Sequence, residues 1–150
     1  MAITSEKIAL DSMIFIYLFD SNHDFVDQSQ HIISLAEQGK TQIITSIISI
    51  LESLSPVKYQ DDPFAQTTIL NFFHQTPNLK FFDVDIEIST QAAQLRRENK
   101  SLRTPDSIQL ATALVHQANI FITHDTKLTK LRFPHLKIIR LDNHGEVVKS

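Results

Sequence analysis

Short apolar runs alternate with longer stretches of helical spacing along this chain. Ile8, Ala9 and Leu10 form a buried-type run ending at Asp11, which predicts a strand over 7–11. The strongly apolar Ser12 to Phe19 predicts a helix directly after it. Asn22 to Gly39 predicts a second helix with Phe25, Val26, Ile32, Ile33, Leu35 and Ala36 as core positions and Gly39 as its stop. Gln42 to Thr45 predicts a strand. Ser46 to Leu54 then carries Ile47, Ile48, Ile50, Leu51 and Leu54 at mostly helical spacing, just before Pro56. Asp61 to Gln75 predicts an amphipathic helix, Leu79 to Val84 a strand, and the stretch opening at Asp85 another helix. Thr104 to Leu114 predicts a helix buried on several sides, with Thr104 as N-cap, Pro105 at the first helical position and Asp106 in the first turn. Ile120 to Thr123 and Leu136 to Leu141 predict two more strands.

Strand and helix thus alternate, and that order implies an α/β fold: a parallel sheet covered on both faces. No internal repeat, low-complexity tract or linker interrupts it. A chain of 150 residues fits one domain, 1–150, with 142–150 expected as a loose polar tail.

Composition mainly excludes. Zero cysteines leave no disulfide, thiolate zinc site or cysteine nucleophile, which fits a cytoplasmic protein. The two glycines, Gly39 and Gly145, cannot build a P-loop or a GxGxxG turn. A net charge of −3 supplies no global field for nucleic acid, so any such binding needs a local basic patch. The apolar run Ile8 to Phe19 is broken by Asp11 and too short to span a bilayer, so no membrane association is expected. None of the seven histidines forms a tight HxxxH pair of the kind that holds zinc.

The remaining chemistry is acidic. Asp11 and Asp125 each follow a strand, Asp106 begins a helix, and Glu52 is the only charge between Thr41 and Val57. Each has a structural reading of its own: Asp11 as an N-cap, Asp106 as a dipole partner, Asp125 as a turn former, Glu52 as a helix-surface residue. In one parallel sheet, however, all four converge at the carboxyl edge. Two carboxylates about 4 Å apart repel by roughly 4 kcal/mol at an effective dielectric near 20. A divalent cation with oxygen ligands removes that cost, and one or two such ions support phosphodiester cleavage. Arg96, Arg97, Lys100 and Arg103 lie just before Asp106, and Lys127 just after Asp125, as candidate phosphate contacts. His124, beside Asp125, reads as a surface residue within reach of a phosphate.

Four blocks carry a resemblance. They are Ile8-Ala9-Leu10-Asp11-Ser12; Thr45-Ser46 with Glu52; Leu102-Arg103-Thr104-Pro105-Asp106-Ser107-Ile108-Gln109-Leu110-Ala111-Thr112-Ala113; and Ile122-Thr123-His124-Asp125. Together they resemble a PIN domain, the nuclease fold used by VapC-type toxins of toxin–antitoxin pairs. The resemblance implies a PIN-like three-layer α/β/α sandwich. It implies a metal-dependent ribonuclease in which Asp11, Glu52, Asp106 and Asp125 bind one or two Mg²⁺ or Mn²⁺ ions. Ser12 and Thr123 would be supporting hydroxyls. An RNA substrate, a small antitoxin and a homodimer follow as expected partners, with the apolar helix Ser12 to Phe19 available for either protein contact. The sequence departs from the family in having His124 where Asn or Gly is frequent, in lacking a further acid shortly after Asp125, and in having Ser12 in place of Thr. A non-catalytic PIN-fold module binding RNA or a partner protein is the alternative. A dehalogenase-like phosphatase would need an acid two residues after Asp11, and Met13 stands there.

Overall fold

The computed structural model describes residues 6–21 and 24–142. Its elements are β1 (Glu6–Leu10), α1 (Ser12–Asp20), α2 (Val26–Glu37), β2 (Thr41–Ser46), α3 (Ile48–Leu54), α4 (Pro63–Gln75), β3 (Leu79–Phe82), α5 (Ile86–Glu98), α6 (Thr104–Val115), β4 (Ile120–Thr123) and β5 (Lys137–Arg140). The strands form one sheet in the order β3-β2-β1-β4-β5, and all neighbouring pairs are parallel.

Successive strand side chains point to opposite faces, and here both faces are covered. Ile8, Leu10, Ile43, Ile120 and Ile122 enter one core, where α1, α2 and α4 supply Phe15, Ile32, Leu35, Ile69 and Phe73. Ala9, Ile44 and Phe121 enter the other, against Ile88 and Leu95 of α5 and Leu110 and Ala111 of α6. Burying a side chain of this size contributes about 1.5–3 kcal/mol. The result is the expected three-layer α/β/α sandwich.

The chain winds outward from β1 through β2 to β3, then returns to the far side of β1 for β4 and β5. That reversal opens a crevice at the carboxyl ends of β1 and β4, the usual ligand position in open parallel sheets. Asp11 N–H donates to the Ile122 carbonyl at 3.0 Å and locks the two strand ends together there.

Local signals explain most element ends. Asp62 and Asp85 cap α4 and α5 by accepting from Ala65 and Ile88 N–H. Gly39 stops α2 with φ +75°; its N–H donates to Ala36 and that of Lys40 to Leu35. Thr104 is not the N-cap of α6. Arg103 takes that position, and its carbonyl accepts the Ser107 N–H at 3.0 Å, so the helix starts one residue early and Pro105 falls in its first turn. Ser46 belongs to β2, paired with Phe82 of β3, so α3 begins later than its apolar spacing suggests. Asn22, read as the start of the second helix, lies outside the described residues, and α2 begins at Val26. Asp142, read as the start of a loose tail, pairs with Arg140 at 2.7 Å; residues 143–150 lie outside the described residues.

Helix α1 is also less available than its composition suggests. Ile14, Phe15 and Tyr17 are buried in the first core. Met13 is the exposed apolar side chain of α1, and the most exposed apolar residues lie elsewhere, on Leu51, Val57, Phe64 and Ile86. Among the described residues no helix is long and apolar enough to cross a membrane.

Candidate active site

Four chain segments bring acids to the crevice. Asp11 is delivered by the end of β1, where it caps α1: its Oδ1 accepts the Ser12 N–H at 2.7 Å. Its Oδ2 accepts the Thr123 hydroxyl at 2.8 Å. Thr123 in turn accepts the Asp125 N–H at 3.1 Å, so one hydroxyl ties two acid-bearing segments together. Asp125 Oδ1 accepts the Lys127 N–H at 2.8 Å, which makes Asp125 a turn former as well as a lining residue. Asp106 is buried in the first turn of α6, and its Oδ2 accepts from Arg103 Nε at 3.2 Å. Glu52 of α3 is half-buried, and its Oε1 accepts the Ser12 hydroxyl at 2.6 Å.

Asp11, Glu52, Asp106 and Asp125 all line one cleft of about 270 Å³, together with Ser12, Arg103 and His124. A neighbouring pocket of about 370 Å³ shares Arg103, Asp106 and Asp125 with it and adds Asn99, Ser101 and Lys127. A larger cavity, about 600 Å³, lies along the 129–138 segment and contains no acid. We take the acid cleft as the functional one because its chemistry converges.

Burial and the neighbouring acids both act on the ionisable groups of the cleft, burial the more strongly on Asp11. Burial pushes the Asp11 carboxyl up to about 6; the Thr123 and Ser12 hydrogen bonds oppose this, and the charges of Asp106 and Glu52 add to it. The Arg103 guanidinium is held further toward its charged form by its hydrogen bond to Asp106, by that group's charge, and by Asp125 and Glu52. Burial and the Asp11 charge push the Tyr17 phenol up.

The basic residues divide. Arg103 and Lys127 line the paired pockets. Arg96 Nε instead donates to the Leu102 carbonyl at 3.3 Å and braces the α5–α6 connection. Arg97 and Lys100 are exposed and line neither pocket. His124 is not a free surface residue. It is half-buried, its Nδ1 lies 2.6 Å from the Tyr17 hydroxyl, and its ring packs on Phe25 with centroids 4.2 Å apart.

Sequence reasoning missed Tyr17, Ser49 and Gln109. The last is 2 % exposed on α6. A lone polar side chain within the apolar run Ile108 to Ala111 was the available signal, since burying an amide requires partners.

The acids could serve a cation as hard oxygen donors, although as placed they do not close on one point. Among the described residues no three His, Cys, Asp or Glu side chains form a group able to hold a metal ion.

The sheet order, the switch point and the acid-lined crevice define a parallel α/β protein with an acidic site at its carboxyl edge. The model of the PIN domain family matches residues 8–134, and the chain belongs to that family. Solved structures agree in fold. VapBC2 from Rickettsia felis, bound to a DNA fragment from its promoter, matches with a TM-score of 0.68 at 17% identity, over 89% of this chain and 98% of that one. Mycobacterium tuberculosis VapC20, described as a sarcin-ricin loop cleaving toxin, matches with a TM-score of 0.65 at 13% identity, over 87% and 98%. A toxin–antitoxin complex from Klebsiella pneumoniae matches with a TM-score of 0.61 at 24% identity, over 86% and 94%. Sequence comparison with curated proteins returned no match.

Proposed function

We propose that this PIN domain is a metal-dependent endoribonuclease, the toxin of a type II toxin–antitoxin pair acting in the cytoplasm as one domain. The observation that carries the reading is the convergence of Asp11, Glu52, Asp106 and Asp125 on one cleft at the carboxyl edge of the sheet. Mutually repelling carboxylates gather where a cation offsets the repulsion, and the donor set is all oxygen, which suits Mg²⁺ or Mn²⁺. The raised Asp11 carboxyl is chiefly a consequence of burial, with a smaller contribution from the charges of Asp106 and Glu52.

One or two bound ions, held by these four acids, would lower the pKa of a water and stabilise the leaving oxygen. The chain's own residues do the rest. The Thr123 hydroxyl holds Asp11 against the segment carrying Asp125. Ser12 holds Glu52. Arg103, on the wall that the acid cleft shares with the neighbouring pocket, and Lys127, in that neighbouring pocket, receive phosphates of the RNA strand. The exposed Leu51, Val57, Phe64 and Ile86 supply apolar area for an antitoxin or a second copy.

The test is cleavage of a labelled single-stranded RNA by the wild type and by Asp106→Asn, each with Mg²⁺, Mn²⁺ or EDTA. Metal-dependent cutting by the wild type alone supports the reading. Equal cutting by a well-folded Asp106→Asn protein overturns it. Absence of both cutting and metal binding would favour a non-catalytic module.

A further inference from the structure

Gln109 sits one helical turn beyond Asp106 on α6 and reaches under the cleft. Its Nε2 donates to the Ser12 and Ser49 hydroxyls, at 2.9 Å each. Its Oε1 lies 3.2 Å from the Ser46 N–H, a group that can only donate. That contact fixes which end of the amide faces the serines. At the other side of the network Thr45 Oγ1 donates to the Leu10 carbonyl at 2.8 Å, a group that can only accept. Thr45 therefore accepts from Ser49, 2.6 Å away, which commits the Ser49 proton.

With both backbone anchors satisfied, the shortest contacts assign the protons between them, and the longer Thr45–Gln109 Oε1 (3.4 Å) and Ser12–Ser49 (3.3 Å) approaches are left without one. Ser12 receives a hydrogen bond from Gln109, and its own proton goes to Glu52 Oε1 at 2.6 Å. Ser12 is thus a dedicated donor to one oxygen of Glu52, leaving Oε2 for the cleft. The four members come from α1, β2, α3 and α6, and every one is buried.

We propose that Gln109 is a positioning residue for Glu52: through Ser12 it fixes the donor that holds this carboxylate in the acid cleft. The proposal rests on the ribonuclease reading above and adds to it the part that orients the acid carried by the short helix α3. Thr123 plays the corresponding role for Asp11, but it is anchored by neighbouring strand ends. Glu52 lies on the seven-residue α3 and depends on side chains from other elements.

The test compares Gln109→Glu, Ser12→Ala and Ser12→Thr with the wild type. Mn²⁺ affinity is read by calorimetry, and kcat and KM on a single-stranded RNA by cleavage. Gln109→Glu presents an acceptor where a donor stood, so Ser12 turns away from Glu52. Ser12→Ala removes the donor with the smallest change in packing and covers the case in which the buried glutamate prevents folding. Losing a group that orients a metal-binding side chain costs about 10–100-fold in affinity or activity. We expect that loss in both Mn²⁺ affinity and kcat for both variants, with KM for RNA little changed. Ser12→Thr, which keeps the hydroxyl, should recover most of it. A folded Ser12→Ala protein with wild-type Mn²⁺ affinity and kcat overturns the positioning role, whatever its melting temperature. A wild type that neither binds Mn²⁺ nor cuts RNA overturns the ribonuclease reading, and the role with it.

Discussion

Replacing Asp11 by Asn should stabilise the metal-free protein, although Asp11 makes two hydrogen bonds. Its carboxyl stands at about 6 in the folded chain against an ordinary 3.8, chiefly because it is buried. The unfolded chain releases the proton first as pH rises, so over this window the folded state holds more protons. Stability must therefore fall as pH climbs from 3.8 to about 6, and the full loss persists above that. The magnitude is about 3 kcal/mol at 1.36 kcal/mol per pKa unit. Asn removes the charge and keeps an oxygen for the Ser12 N–H. It leaves the Thr123 proton without its acceptor, since Thr123 donates to Oδ2, at a cost of about 1 kcal/mol. The balance is about 2 kcal/mol in favour of Asp11→Asn above pH 6, a rise in Tm of roughly 4–8 °C for a domain of this size. Near pH 4 the order should reverse, because the wild-type carboxyl is then neutral. Thermal melts in EDTA across this pH range read the effect. A variant less stable than the wild type at pH 7.5, or a Tm difference that does not change with pH, would refute the reasoning.

Other consequences are simpler to read. Gly39→Ala forces an L side chain to φ +75° with no atom within 4 Å of the new Cβ, so the cost is backbone strain alone. About 1 kcal/mol of stability should be lost, visible as a Tm drop of roughly 2–4 °C with RNA cleavage unchanged at 25 °C. Lys127→Ala should weaken RNA binding and flatten the log K against log salt slope by about 0.7, whereas Arg97→Ala, outside both pockets, should change neither. Equal effects of the two would refute the assigned strand path.

The sheet was legible because β1, β2 and β4 are buried on both faces, and such strands write themselves as short apolar runs. Asp11 and Asp125 were legible as the residues ending or following those runs. The chain's own spacing does not carry the contacts that give the site its geometry. Gln109 meets Ser12 and Ser49 across 97 and 60 residues, and Tyr17 meets His124 across 107. Nothing local distinguishes Arg96, which braces a loop, from Arg103, which faces the acids. Thr104 misled because Ser/Thr-Pro-Asp is a strong start signal, while the helix actually begins from the Arg103 carbonyl. Burial of α1 was hidden for a related reason: an apolar helix reads the same whether it packs inward or docks a partner.

The central claim is that four acids from distant segments make one divalent-cation site, and the most direct measurement is Mn²⁺ binding itself. Melting curves and calorimetry would follow the wild type and the single variants Asp11→Asn, Glu52→Gln, Asp106→Asn and Asp125→Asn as Mn²⁺ is added. An ion at about 100 times its Kd stabilises the folded state by about 2.7 kcal/mol, or roughly 5–11 °C in Tm. The account predicts that rise for the wild type and its loss or marked weakening in each variant. A Tm that does not respond to Mn²⁺ in the wild type, or one that responds equally in all four variants, would contradict it.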